Sequence, residues 1–499
     1  QHTRHKSFFL SIIVSLILIC ASCAGGNSKD VLRMNVSSEP DSFFPWESAA
    51  ADTAAILYNI FDGLLSFDTR GKLHPALCES YEISDDKLTY TFHLRHGVKF
   101  HDGKDFTSRD CVWTYENLAG LNGKSPKNDL MARSVESISA PDGFTFVIKT
   151  KEKLGGFIAL AIAPILPEGY LNHAEQPVGT GAYKFVEYQL HQKVVLEKNE
   201  NYWNQENQPS IPKIEIYVMS DENAILSALQ AKQLDIGQML SAENAKTLQN
   251  KFQLFSAPQN MVQVLGLNNS VKPLDNPLVR QAITMAINKD EIIEGAMGGF
   301  GTKLYSNFSP ILGTFYNDRL SEIYKNDVVV AKAILNSVGY PNGFNLEITV
   351  PGNYRIHVDT AQIIANQLSK IGITCKIKTV EWTTWLDSVY TKFDYQATVI
   401  AFGGKLDPSE VLQRYYSTYK RNFTRYNNPV FDETFEKANL ETDTAKRIKY
   451  YKYCQELLTK SAPAVFIADP NNTVLLRKDV RGYEVYPVLF YNFAKMSFE

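Results

Sequence analysis

Strand and helix patterns alternate over much of this 499-residue chain, which constrains its fold more than any other feature of the sequence. Residues 213–219 alternate between apolar and polar side chains, as a half-buried strand does, and residues 222–232 carry an apolar helical face. The same strand-helix order recurs later, with a strand at 346–350, a helix at 358–370 and a strand at 373–380. Alternating strands and helices build α/β lobes with parallel or mixed sheets, so the sequence predicts an α/β protein.

Two such lobes are predicted, with a hinge between them. Residues 261–268 and 464–473 form predicted strands where the chain would pass from one lobe to the other. One helix is predicted over residues 277–297, because Pro277 suits the first helical position and apolar residues follow at helical spacing. Lobes joined by paired crossings form a hinged cleft that closes on a ligand, which suits capture and release.

A smaller unit precedes most of this alternation. Residues 88–94 and 144–148 each alternate as half-buried antiparallel strands do. Between them, Thr107 or Ser108 is placed to cap a helix that includes residues 111–118. We therefore expect a small mixed unit over residues 66–176, and at roughly 150 residues per domain the chain length agrees with three structural units.

The first 23 residues differ in character from the rest of the chain. Arg4 and Lys6 precede an apolar run at 8–19, which is typical of an export signal and too short to span a bilayer core of ~30 Å. Small residues then precede Cys23, which resembles the lipobox of bacterial lipoproteins. We expect residues 1–22 to be a signal peptide and Cys23 to carry a lipid that anchors the body outside the cytoplasmic membrane; an ordinary leader cleaved nearby is the alternative.

Several short sequence words occur in a fixed order along nearly the whole mature chain. The densest covers residues 90–103, which read YTFHLRHGVKFHDG. The others are residues 58–65 (YNIFDGLL), 75–77 (PAL), 179–183 (GTGAY), 199–203 (NENYW), 267–269 (LNN), 279–282 (VRQA) and 286–289 (AINK). Together they resemble the family-5 solute-binding proteins of ABC importers, which include oligopeptide, dipeptide and nickel-chelate receptors.

This resemblance implies a periplasmic-binding-protein-like α/β fold of the class II, peptide-receptor type, with two lobes, a hinge and a satellite domain. Lobe I would comprise residues 30–65, 177–266 and 472–499, the satellite domain residues 66–176, and lobe II residues 267–471. The resemblance further implies a monomer that captures a small solute such as a peptide and delivers it to the membrane permease of an ABC importer.

The resemblance also indicates where the ligand would bind. Peptide-binding members carry Trp-x-x-Asp-x-x-Asp-Pro in lobe II, where the first aspartate takes the ligand's ammonium. The matching residues 401–408 read AFGGKLDP, so Gly404 replaces that aspartate and Lys405 follows it. Lys405 would favour a carboxylate or another anion and would repel an ammonium. Either the ligand lacks an ammonium here or it meets Asp407 or Glu410; alternatively, Asp407 only caps the helix that follows.

Other residues are candidates for the walls of the cleft. Dipeptide-type members place a carboxylate-binding arginine near the head of the helix predicted to begin at residue 358, and Arg355 lies about one turn before it. Phe402, Trp382 and Trp385 are candidate apolar walls, although aromatic residues in strands and helices also build cores.

The family has a nickel-chelate branch, so the histidines of this chain are candidate metal ligands. His93, His96 and His101 cluster in the predicted satellite domain, where surface or packing roles fit better. Only His357 is expected near the cleft. We therefore predict no metal site.

Other functional classes are disfavoured by charge and by motifs. The formal net charge of −3 carries no long basic run, which argues against nucleic acid as a partner. No Gly-x-Ser-x-Gly, His-Glu-x-x-His, Walker A or Gly-x-Gly-x-x-Gly motif occurs. We expect no enzyme activity and no cofactor. A receptor for a chelated metal or an anionic small molecule, and a surface lipoprotein in adhesion or in holding unfolded segments, are the alternatives.

Overall fold

The computed structural model describes residues 29–48 and 50–499, and its strands form three large sheets. A seven-stranded sheet contains, in spatial order, Gln253–Ala257, Asn472–Leu476, Ile236–Gly237, Val31–Val36, Lys213–Val218, Lys193–Lys198 and Tyr183–Gln189. A six-stranded sheet contains Gly301–Lys303, Ala464–Pro470, Met261–Leu267, Ala397–Gly403, Asn345–Pro351 and Thr374–Val380. A four-stranded sheet contains Cys78–Ile83, Thr89–Leu94, Thr145–Thr150 and Val135–Asp142. Two strand pairs complete the set: Leu65–Phe67 with Leu73–Pro75, and Val480–Arg481 with Ser497–Phe498.

The seven-stranded and six-stranded sheets lie at the centres of two lobes, which we call lobe I and lobe II, and the four-stranded sheet forms a satellite unit. Both large sheets mix parallel and antiparallel pairs: Val31–Val36 runs parallel to Lys213–Val218, whereas Met261–Leu267 is antiparallel to both of its neighbours. Each of the three units has its own cluster of buried apolar side chains. The predicted α/β fold with two lobes is confirmed.

Helices pack against these sheets. The α-helices are Ala51–Ile60, Ser108–Ala119, Asp129–Ser134, Glu222–Gln230, Ala242–Leu248, Pro277–Ala286, Lys289–Met297, Val328–Ser337, Arg355–Ser369, Trp382–Trp385, Pro408–Leu412, Pro429–Leu440 and Thr444–Ser461. Short 3-10 helices occur at Phe157–Ile162, Asn172–Ala174, Gln205–Asn207, Pro310–Phe315, Leu320–Glu322, Gln413–Tyr415 and Phe493–Lys495, and a π-helical turn at Leu386–Thr391. Side chains cap many of the α-helices, as Thr107 does for Ser108–Ala119.

The single helix predicted over residues 277–297 is wrong in its extent. The chain forms two helices, Pro277–Ala286 and Lys289–Met297, with a break between them. Asn288 causes this break, because its side-chain oxygen accepts hydrogen bonds from the amides of Asp290 and Glu291 and so starts a new helix. The apolar face predicted for the first helix is buried as expected.

The predicted satellite strands are confirmed. In Thr89–Leu94 every second residue is buried, namely Tyr90, Phe92 and Leu94. This strand pairs antiparallel with Thr145–Thr150. The buried faces of both strands contribute to the core of the satellite unit.

The chain crosses between the lobes at residues 258–260 and again at Asn471, since the strands on either side of each point belong to different sheets. Gln259 Nε2 donates to the Pro470 carbonyl at 2.7 Å, and the backbone N–H of Gln259 donates to the carboxylate of Asp469 at 3.2 Å. Asp469 is fully buried, and this burial raises its pKa to about 6. The two crossings are therefore hydrogen-bonded to each other at the hinge.

The predicted signal peptide and the predicted lipidation of Cys23 lie outside the described residues. Among the residues that the structure does describe, no helix combines the length and the apolar character needed to cross a membrane. Cys78 and Cys111 are buried in the satellite unit as free thiols. Burial raises the pKa of Cys78 to about 11, so this thiol stays protonated at neutral pH.

Candidate ligand-binding cleft between the lobes

A cavity of about 570 Å³ lies between the lobes beside the hinge, and we call it the main cleft. Lobe I contributes the extended segment 483–491, four residues of the helix Ala51–Ile60, and Ser48, Ala50, Gln238, Met239 and Asn472. Lobe II contributes Met261 and residues 403–405, and the first crossing contributes Gln259 and Asn260. Small-ligand sites in proteins measure roughly 300–1,000 Å³, so the main cleft has the size and position of such a site.

One edge of the strand Ala397–Gly403 is open where the strand reaches the main cleft. On one side this strand pairs along its whole length with Met261–Leu267. On the other side it pairs with Asn345–Pro351 through its first two residues only, and the described part of the chain supplies no further partner there. Gly403, the last residue of the strand, is exposed and lines the main cleft. The main chain can therefore pair with an extended ligand, as in strand addition.

The backbone of Gly404 packs against the side chain of Asn260, a residue of the first crossing. Asn260 is buried and has a left-handed φ of 60°, which Asn tolerates better than most residues. Its Nδ2 donates to the Pro487 carbonyl of lobe I at 2.6 Å and to the Lys405 carbonyl of lobe II at 3.3 Å. A Cβ atom on Gly404 would stand 2.0 Å from Asn260 Oδ1. The Asn260 amide thus occupies the space that a side chain at residue 404 would need.

Lys405 lies at the rim of the main cleft. Its side chain is exposed, and its ammonium forms no ion pair with any residue that the structure describes. Its carbonyl is held by Asn260, so the backbone from which the side chain projects is fixed. Lys405 is therefore available as a cationic contact for a ligand.

Asp52, which the sequence analysis did not select, also lines the main cleft. It is the second residue of the helix Ala51–Ile60 and is only 9% exposed. Its Oδ2 accepts four hydrogen bonds, from the amides and hydroxyls of Ser37 and Ser38, at 2.7–3.1 Å. Sequence alone offered one hint, an aspartate in the first turn of a helix, but that is also an ordinary helix-stabilising position.

An aromatic wall closes the lobe I side of the main cleft. The rings of Tyr58 and Phe490 lie 5.3 Å apart, and those of Tyr486 and Phe490 lie 4.9 Å apart. All three residues line the main cleft. This wall offers apolar contact area to a ligand side chain.

Asp407 faces a different cavity, of about 690 Å³, between the satellite unit and lobe II, and Glu410 lines the same cavity. The Asp407 carboxylate accepts two hydrogen bonds from Arg447 Nη2, at 2.7 and 3.0 Å. It also accepts from the Ser409 amide at 2.9 Å, which caps the helix Pro408–Leu412. The Asp407 charge is therefore neutralised by Arg447. Asp407 also caps the helix that follows it, which was the alternative role expected from the sequence.

The aromatic candidates belong to lobe II packing. Trp385 is 1% exposed, stacks on Trp382 at 5.3 Å and donates from Nε1 to Thr398 Oγ1 at 2.9 Å. Phe402 is half-buried, and the guanidinium of Arg414 lies over its ring at 4.2 Å. None of the three aromatic candidates lines the main cleft.

Arg355 and His357 lie at the start of a longer helix than expected. The helix Arg355–Ser369 begins with Arg355 itself, whose exposed side chain pairs with Asp359 at 2.8 Å and does not line the main cleft. His357 is buried against Gln263 at 3.0 Å, and burial lowers its pKa to about 4. Among the described residues, no group of three or more His, Cys, Asp or Glu could hold a metal ion.

Of the predicted ligand-binding residues, the structure brings Gly404 and Lys405 to the main cleft. Asp407 lies in the neighbouring cavity, and the other candidates lie outside both cavities: Phe402, Trp382, Trp385 and Arg355. The residues that sequence reasoning missed are mainly those of lobe I. They reach the cleft from residues 48–58, more than 300 residues before Gly404, from residues 238–239, from Asn472 and from the extended segment near the carboxyl end.

Comparisons with known proteins show which family this chain resembles. The model of the family described as "Bacterial extracellular solute-binding proteins, family 5 Middle" matches residues 72–423. The chain is 26% identical over 520 residues to the glutathione-binding protein GsiB of Shigella flexneri serotype 5b (strain 8401), with 98% of each chain covered. It is also 26% identical over 538 residues to the dipeptide-binding protein of Escherichia coli (strain K12), with 99% of each covered.

Solved structures show the same fold. The periplasmic binding protein DppA from Helicobacter pylori, in complex with the peptide STSA, is 27% identical with a TM-score of 0.73, and the match covers 94% of this chain and 98% of that one. The ABC transporter substrate-binding protein CtaP from Listeria monocytogenes is 23% identical with a TM-score of 0.84, covering 94% and 99%. The family match spans most of the chain, so this protein belongs to the family-5 bacterial extracellular solute-binding proteins.

Proposed function

We propose that this protein captures a small peptide in the main cleft and delivers it to the membrane permease of an ABC importer, as a monomer without catalytic activity. The observation that carries this proposal is the open edge of the strand Ala397–Gly403 at the cleft. Main-chain hydrogen bonds from such an edge recognise a peptide backbone whatever its side chains are, and the aromatic wall offers contact area to those side chains.

The ligands for which similar proteins are named support a peptide. GsiB binds glutathione, the Escherichia coli relative binds dipeptides, and the Helicobacter pylori structure holds the peptide STSA. In this chain the main cleft lies beside two hydrogen-bonded crossings, so that a ligand would touch both lobes at once. A ligand that bridges the lobes favours closure about the hinge.

Thermal unfolding of the mature chain in the presence of defined ligands tests this proposal. Peptides of two to five residues are expected to raise the unfolding temperature, since a ligand at 100 times its Kd adds about 2.7 kcal/mol to the free energy of unfolding. Free amino acids serve as the control and should have little effect. If chelated metals or anionic small molecules raise it and no peptide does, peptide capture is wrong. Binding of other proteins without competition from small molecules would indicate the adhesion or holding role.

We also propose that a lipid on Cys23 anchors the protein outside the cytoplasmic membrane. The apolar run at 8–19 and the small residues before Cys23 support this assignment. Cys23→Ser should move the protein from the membrane fraction to the soluble fraction without changing its unfolding temperature. Cys20→Ser is the matched control and should stay in the membrane fraction. A Cys23→Ser protein that remains there would show that Cys23 is not the anchor.

A further inference from the structure

The proposed peptide ligand would carry an α-ammonium, yet the residue that binds it in peptide receptors of this family is Gly404 here. The structure offers another carboxylate in the same cleft. Asp52 lines the main cleft, and its side chain is more than nine-tenths buried. Its Oδ1 has no hydrogen-bond partner among the described residues, whereas Oδ2 takes all four donors from Ser37 and Ser38.

The four hydrogen bonds fix the orientation of the Asp52 carboxylate before any ligand arrives. Both amides and both hydroxyls approach Oδ2, so that Oδ1 is left for a further donor. All four donors are neutral, and no Lys, Arg or His of the described chain forms an ion pair with Asp52. A buried carboxylate without a counter-ion is costly unless a cation or further donors satisfy it.

The other acids near the cleft are already compensated. Glu484 also lines the main cleft, but it accepts from the Tyr486 hydroxyl at 2.6 Å and pairs with Lys495 at 3.0 Å. Asp407 pairs with Arg447 and faces the neighbouring cavity. Within the described residues, Asp52 is therefore the carboxylate of the main cleft whose charge is unmatched.

Lys405 provides the opposite charge from the opposite lobe. Its side chain is exposed at the main cleft and forms no ion pair with any described residue, although its charge acts on Glu410 of the neighbouring cavity. The cleft thus presents an unmatched anion from lobe I and an unmatched cation from lobe II. A zwitterionic ligand complements both charges, and its two ends would then join the two lobes.

We propose that Asp52 binds the α-ammonium of the ligand and that Lys405 binds its carboxylate, so that the preferred ligand is a short peptide with both ends free. This inference rests on the proposed function and names the charged contacts of the same site. Charge-assisted hydrogen bonds of this kind change affinity by about 10- to 100-fold when one partner is removed.

Calorimetric titration with trialanine in its free, N-acetylated, C-amidated and doubly blocked forms tests the inference. Wild-type protein should bind the free form about 10- to 100-fold more tightly than the N-acetylated form. Asp52→Asn should reduce this ratio to about one by weakening the free form alone. The substitution keeps the shape of the side chain, and its amide oxygen can still accept the hydrogen bonds from Ser37 and Ser38. Lys405→Gln should remove the several-fold preference for the free carboxyl end over the amide.

Asp387→Asn is the matched control, because this carboxylate of lobe II lies outside the main cleft and pairs with Lys392, and it should keep the wild-type ratios. Unchanged affinity of Asp52→Asn for the N-acetylated form shows that the variant is folded. A wild-type ratio near one overturns the assignment without use of any variant, and so does a ratio that survives Asp52→Asn or disappears in Asp387→Asn. If wild-type protein binds none of the four forms or any other short peptide, the proposed function itself fails.

Discussion

At the main cleft, the Asn260 side chain leaves no room for a side chain on residue 404. The side chain of Asn260 stands where a Cβ atom on Gly404 would project, at 2.0 Å from Oδ1. Asn260 in turn holds the Pro487 and Lys405 carbonyls, which belong to different lobes. Replacing the aspartate of related peptide receptors by glycine therefore does more than remove a charge, because it makes room for an amide that ties the hinge to both walls.

Restoring an aspartate at residue 404 should destabilise the protein. Gly404→Asp forces the Asn260 side chain to move, and overpacking of this kind costs about 1–3 kcal/mol of unfolding free energy. Gly403→Asp is the matched control, since a Cβ atom there meets no described atom within 4 Å. Denaturant unfolding of the two variants and of the wild-type protein measures the loss of unfolding free energy in each variant.

A double-mutant cycle identifies the cause of that loss. Asn260→Gly suits the left-handed φ of 60° and empties the space beside Gly404. Added to Asn260→Gly, Gly404→Asp should cost less than it does in the wild-type protein. Equal costs in the two backgrounds, or a cost no larger than that of Gly403→Asp, would mean that the contact between Gly404 and Asn260 does not limit the substitution.

Among the helices and strands, short sequence patterns correctly predicted the features that are set by neighbouring residues, such as strand burial and helix starts. The alternation of Tyr90, Phe92 and Leu94 predicted a half-buried strand, and a capping Thr107 or Ser108 predicted a helix start, because periodicity and capping act within a few residues. The break at Asn288 was missed since the apolar spacing continues across it. A capping side chain followed by acidic residues was the signal that could have found it.

The wrong expectations for site residues involve contacts with residues that the local sequence pattern does not reveal. Asp407 was a candidate ammonium acceptor, and nothing near it in sequence reveals Arg447, which the helix Thr444–Ser461 brings to it from 40 residues away. Trp385 was a candidate cleft wall, whereas its indole N–H bonds to Thr398 inside lobe II. Periodicity predicts that a side chain is buried but not what it is buried against, so the lobe II side of the site was foreseen only in part.

For the whole molecule, the separation of the two lobes explains why the lobe I half of the site was not predicted. Asp52 and the aromatic wall come from the first helix and the last extended segment of the described chain, and only the fold places them beside Gly404 and Lys405. The two crossings, hydrogen-bonded through Gln259, give these walls a common hinge. Our account of the molecule is that a ligand held by both walls closes this hinge.

The most direct test of the account is the identity of the solute that the protein carries. Protein purified from the envelope of the bacterium that produces it is denatured, and the released small molecules are identified by mass spectrometry. The account predicts short peptides with free amino and carboxyl ends, in an amount comparable to that of the protein. A non-peptide solute or a metal chelate released in that amount, with no peptide present, would contradict the claim that the main cleft captures peptides.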